Sequence, residues 1–123
     1  MSLASKLIDQ GIDKIDVSML PEDYKKQILT EVAELLFNQG RLDDSARIIS
    51  KSGNKEKQAE FGLKFVREGR PALAVDALMG SGNLDLIKKA GVACMNNGNK
   101  EAALKAFVSI GDKEMEEFIK ENL

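Results

Sequence analysis

Along residues 55–68, KEKQAEFGLKFVRE, the apolar positions Phe61, Phe65 and Val66 step by four and one, and Leu63 adds a second row. Strands alternate with a period of two, so this spacing is helical. Residues 72–80, ALAVDALMG, keep the same kind of spacing through Leu73, Ala74, Ala77 and Leu78. A long helix followed by a short one is expected, joined by a few polar residues as a hairpin.

The pattern recurs. Gly40, Gly69 and Gly98 follow one another at steps of 29 residues, and Gly53, Gly82 and Gly111 keep the same step. The chain divides into units 26–54, 55–83 and 84–112, preceded by 1–25 and followed by 113–123, all within one domain. A glycine just past the last periodic residue is the expected end of a helix, because the left-handed conformation costs it no Cβ clash. Gly40, Gly69 and Gly98 are expected to end the long helices, and Gly53, Gly82 and Gly111 the short ones. Asn54, Asn83 and Asp112 follow at once and suit the N-cap of the next long helix. Pro71 falls at the start of a short helix, where its missing N–H is tolerated. Joints this short make neighbouring helices antiparallel and adjacent.

The ends depart from the pattern. Residues 113–123, KEMEEFIKENL, read as an amphipathic capping helix with Met115, Phe118 and Ile119 on one face. Gly11 continues the glycine register one step back, but Asp16 stands where later units have a small residue. Residues 3–15 are therefore expected to form a helix or degenerate half-repeat, 16–20 a linker, and Pro21 the opening of a helix reaching about Gln39.

Small residues hold two fixed places in each unit. Ala33, Gly62 and Gly91 precede the joint glycine by seven residues, and Ser45, Ala74 and Ala103 follow it by five. Glycine inside a helix costs about 1 kcal/mol against alanine, so Gly62 and Gly91 imply close approach of the paired helix. Larger residues, Ile49, Leu78 and Phe107, come four positions after the second small one. This order of small, Gly, small, large resembles the tetratricopeptide repeat. Asn38-Gln39-Gly40-Arg41-Leu42-Asp43-Asp44-Ser45-Ala46 looks like that motif's turn, as does Asn96-Asn97-Gly98-Asn99-Lys100-Glu101-Ala102-Ala103. The step of 29 is shorter than the family's 34; the early bulky aromatic and the closing proline are missing. The short form is also similar to the hairpins of vesicle-coat and intraflagellar-transport solenoids. The resemblance covers about 26–112. It implies an all-α, right-handed superhelix of antiparallel hairpins whose first helices line a concave face that binds peptides or protein segments.

Composition narrows the chemistry. The chain has no histidine, which removes the commonest acid–base group and metal ligand. Cys94, the only cysteine, stands in the apolar register of Leu36 and Phe65 and reads as a core residue; a lone cysteine fits a reducing, cytoplasmic setting. Gly80-Ser81-Gly82 lacks the Lys-Ser/Thr pair of a phosphate loop. Asp43-Asp44 and Glu116-Glu117 are adjacent along a helix and cannot face each other as an acid–base pair. A net charge of −2 and scattered basic residues disfavour nucleic acid, and no apolar run is long enough to span a membrane. No metal or cofactor is expected. The remaining expectation is a non-enzymatic scaffold for a protein or peptide, or, as an alternative, a self-associating block of a larger assembly. RNA binding comes third.

If first helices line the concave face, its residues lie just before each joint. Asn38, Arg67 and Asn96 share one repeat position and are expected to form a polar row. Val66 and Met95 stand beside it, and Leu63 and Val92 one turn earlier. Asparagine both donates and accepts, which suits an extended backbone, and arginine favours a carboxylate. Phe37, in the register of Val66 and Met95, is expected to lean toward the core.

Overall fold

The structure, a computed structural model, describes residues 2–123. Among these residues it contains eight α-helices and no strand: α1 (Leu3–Gln10), α2 (Glu22–Asn38), α3 (Leu42–Lys51), α4 (Lys55–Arg67), α5 (Pro71–Leu78), α6 (Leu84–Asn96), α7 (Lys100–Ser109) and α8 (Lys113–Asn122). One 3-10 turn, Ile12–Lys14, follows α1. The all-α class read from the sequence is the class observed. Helices α2, α4 and α6 pack most closely on α3, α5 and α7 respectively. The short α5 also touches α3, α6 and α7, so it is the hub; α1 packs on α2, and α8 on α7. The ends of α2, α4 and α6 and the starts of α3, α5 and α7 keep the 29-residue step of the glycines.

The joints follow from local chemistry. Asn54, Asn83 and Asp112 each accept a hydrogen bond from a backbone N–H three residues on, at 3.2, 3.2 and 3.1 Å. Such a cap contributes about 1 kcal/mol. Asn99 does the same at the start of α7, an unforeseen fourth member of the set. At the end of α7, Gly111 has φ +71°, the Asp112 N–H donates to the Phe107 carbonyl at 3.0 Å and the Gly111 N–H to that of Val108 at 3.1 Å. This paired closure needs a left-handed residue at the glycine position.

The middle unit departs from expectation. Gly82 does not end α5. The helix stops at Leu78, Met79 is extended, and Gly80 at φ +75° completes a turn closed by the Ser81 N–H on the Leu78 carbonyl at 3.1 Å. This early stop frees carbonyls that a longer helix would satisfy. The buried side chain of Gln58 takes them up, its amide donating to the carbonyls of Ala77 and Met79, both at 2.9 Å. The same register holds Leu29 and Ile87 in the neighbouring units, both buried.

One apolar core runs through all three hairpins, with Leu36, Ile49, Phe61, Phe65, Leu78 and Phe107 fully buried. Each such side chain contributes about 1.5–3 kcal/mol relative to exposure. Gly62 and Gly91 are buried inside helices, as their role in close approach requires. A Cβ at Gly62 would lie 2.9 Å from Leu78 Cδ1, and one at Gly91 would lie 2.8 Å from Phe107 Cε2. In the first unit Ser45 closes the hairpin differently, donating to the Ala33 carbonyl at 2.8 Å.

The ends use the same register. Buried Ala4 stands one step before Ala33, so α1 takes the place of a long helix. No second helix follows it. The carboxylate of Asp16 accepts from the Ser18 N–H at 3.0 Å and hydroxyl at 2.7 Å. Those bonds hold its pKa below the ordinary carboxylate value and fix a turn where a helix would run. At the other end Ile119 is buried and Met115 half-buried on α8, but Phe118 is 48% exposed, so it does not share their face as expected. Glu116 and Lys120 occupy the registers of Ile87 and Gly91 and pair at 2.9 Å. That side of α8 thus carries charge where α6 carries Ile87 and Gly91.

Candidate partner-binding surface

Asn38, Arg67 and Asn96 are the last residues of α2, α4 and α6. All three side chains are exposed. Capping explains the placement: a C-cap residue follows each helix, and the glycine after it turns the chain away, leaving the final side chains on the rim of the joint. Leu63 is half-buried and Val92 is 46% exposed. Val66 and Met95 are half-buried and pack against the core, as Phe37 does. Of the seven residues singled out, three are exposed polar groups, Leu63 and Val92 offer apolar surface, and Val66 and Met95 serve chiefly to seat the helices.

Phe37 anchors the α2 side of this surface. Its ring lies 6.0 Å from that of Phe61 and 5.6 Å from that of Phe65, and the Lys64 ammonium lies 5.2 Å from its centroid. A cation over an aromatic face at an exposed site is worth about 0.5–1 kcal/mol. The lysine covers aromatic surface next to Arg67 and leaves two cations on the last turn and a half of α4.

The clefts lie elsewhere. One of about 480 Å³ runs along the second helices α3, α5 and α7, lined by Asp43, Asp44, Arg47, Asp76, Met79 and Lys105 among others. Arg47, Asp76 and Lys105 stand at 29-residue steps and alternate in sign. Their charges are internally matched: Lys105 meets Asp76 at 2.6 Å, and Arg47 meets Asp44 at 3.0 Å. Sequence reasoning passed over this column, although comparing units at the 29-residue step exposes it. The same comparison singles out Gln58, polar between two apolar counterparts.

Cys94 is fully buried in α6, and burial, with the Asp76 charge adding to it, pushes its pKa up to about 11. At neutral pH the group is a protonated thiol, not a nucleophilic thiolate. Native protein should therefore resist thiol reagents until it opens. Because the folded-state value lies above the ordinary value of 9.0, the stabilising difference is present in full below about pH 9 and is lost as pH rises through about 11. Denaturation curves over that range should fall less steeply for Cys94→Ala than for the parent; identical slopes would contradict this placement.

Among the described residues, no three His, Cys, Asp or Glu side chains are grouped to hold a metal ion, and no helix is long and apolar enough to cross a membrane. Comparison of the chain with protein-family models, with curated proteins and with solved structures gives no match.

Proposed function

We propose that this chain is a tetratricopeptide-like scaffold, a right-handed superhelix of short hairpins that binds a protein or peptide segment without catalysis. The recurrence of three hairpins whose paired helices meet at equivalent joints, at Gly40, Gly69 and Gly98, carries this reading. An array of that kind places equivalent residues in line, one per unit, which suits a partner that is itself extended. The absence of histidine from the sequence and the protonated, buried state of Cys94 leave little for acid–base or nucleophilic chemistry. The bound segment lies against the ends of α2, α4 and α6. Asn38 and Asn96 meet its backbone, Arg67 meets a carboxylate, and Leu63 and Val92 take an apolar side chain.

The test starts from a peptide selected on the immobilised full chain. Arg67→Ala should weaken its binding about tenfold, as expected where a charge-assisted hydrogen bond worth about 1.4 kcal/mol is lost. Lys120→Ala, at a distant exposed site, should leave it unchanged. Equal affinities for the two variants would remove this row from the site. A second reading is favoured by the cleft on α3, α5 and α7; under it, Asp76→Ala would carry the loss instead.

A further inference from the structure

We infer that the two ends of the molecule are complementary and that copies associate head to tail, the α8 helix of one copy docking in a cleft beside the first hairpin of the next. The inference goes beyond the peptide-binding reading and does not depend on it.

Exposed large apolar residues lie on both sides of the central hairpin. Leu3, Met19, Leu20 and Tyr24 lie at the N-terminal side, with Met19 93% exposed; Leu84 and Val92 lie on α6, and Val108, Phe118 and Leu123 on the last two helices and the final residue. The central hairpin, α4 and α5, has none.

The N-terminal end is incompletely closed. Residues 12–20 stand where a second helix would complete the degenerate first unit, and they fill that place only in part. A cleft of about 470 Å³ remains between this segment and α2 and α3. Its floor is apolar, formed by Ile15, Val17, Leu29 and Ile48. Its cations are Lys25, Lys51 and Arg47. The cleft's two carboxylates are engaged locally: Asp13 lies 3.5 Å from Arg47, and Asp16 is bonded to Ser18. Lys25 and Lys51 form no ion pair among the described residues.

The C-terminal end offers the complement. On α8, Phe118 is surrounded by exposed Glu114, Glu117 and Glu121, four before, one before and three after it. The helix carries four glutamates against two lysines. An aromatic anchor ringed by carboxylates matches an apolar cleft rimmed by lysines. The two surfaces lie at opposite ends of one chain, so a copy cannot satisfy its own. The contact is heterologous, and each copy keeps one free end for the next.

Sedimentation velocity on the full chain, from low micromolar to submillimolar concentration, tests this. The weight-average mass should rise with concentration beyond that of a dimer, and high salt should reverse the rise. Phe118→Ala and Lys51→Glu change exposed residues, so each variant should keep the parental circular dichroism and melting temperature while staying monomeric alone. Mixed in equal amounts they should form a one-to-one dimer and nothing larger, since each retains the end that the other has lost. A parent chain that stays monomeric throughout, a species that stops at two copies, or growth that survives both substitutions would overturn the inference.

Discussion

Gly91→Leu should lower the stability of the folded chain by about 3 kcal/mol, the upper part of the range for overpacking a close-packed core. The first atom of any side chain there would already meet Phe107 Cε2 at 2.8 Å and the Ala106 Cβ at 3.0 Å, inside normal contact distance. Both neighbours are buried on α7. At an exposed helical site, replacing glycine with alanine gains about 1 kcal/mol. Here Gly91→Ala should instead destabilise, because the clash outweighs the gain in propensity. The two residues should also be coupled: Phe107→Leu makes room, so Gly91→Ala should cost less in that background than in the parent. Urea denaturation of the four proteins measures this coupling. A stabilised Gly91→Ala, or strictly additive effects, would show that the hairpin is not as tightly closed as the structure has it.

Gln58→Leu should destabilise by about 2 kcal/mol, the cost of leaving the buried Ala77 carbonyl and the part-buried Met79 carbonyl without this donor. Repeat logic gives the opposite sign. The corresponding residues of the adjacent units are Leu29 and Ile87, so leucine would be the consensus choice at 58 and a stabilising one. The difference lies two helices' length away in sequence, at the end of α5. Because that helix stops at Leu78 and the chain turns at Gly80, the carbonyls of Ala77 and Met79 point at Gln58 rather than at a further turn of helix. Thermal and urea melts of Gln58→Leu decide between the two. A higher midpoint would mean that the carbonyls find other partners and that the glutamine is incidental.

The contrast between these two sites marks how much of the molecule was legible in the sequence. Gly91 could be read because its oddity is local: a glycine within a helical pattern, at a fixed distance from a joint, has few explanations besides close approach. The caps Asn54, Asn83 and Asp112 were legible for the same reason, each lying between a helix stop and a helix start. Gln58 was not, because its reason is a carbonyl some twenty residues distant that only the folded hairpin brings near. Phe118 failed similarly. Its spacing from Met115 puts it on the apolar stripe of an ideal wheel, but α8 packs chiefly on α7, and Phe118 lies 48% exposed beside buried Ile119. The candidate surface was legible as positions and not as depth. The register of the units placed Asn38, Arg67 and Asn96 at helix ends and exposed, whereas the extent to which Val66 and Met95 sink into the core depends on packing between hairpins. The charge-matched cleft on α3, α5 and α7 was missed because Arg47, Asp76 and Lys105 differ in type, and their common register shows only when the units are compared position by position.

The most direct measurement of the proposed function is a two-dimensional amide spectrum of the isotopically labelled full chain, recorded as the selected peptide is added. The expected result is a set of shifts centred on Asn38, Arg67 and Asn96 and extending to Leu63 and Val92, with Arg47, Asp76 and Lys105 unmoved. Shifts confined to α3, α5 and α7, with the ends of α2, α4 and α6 silent, would contradict it.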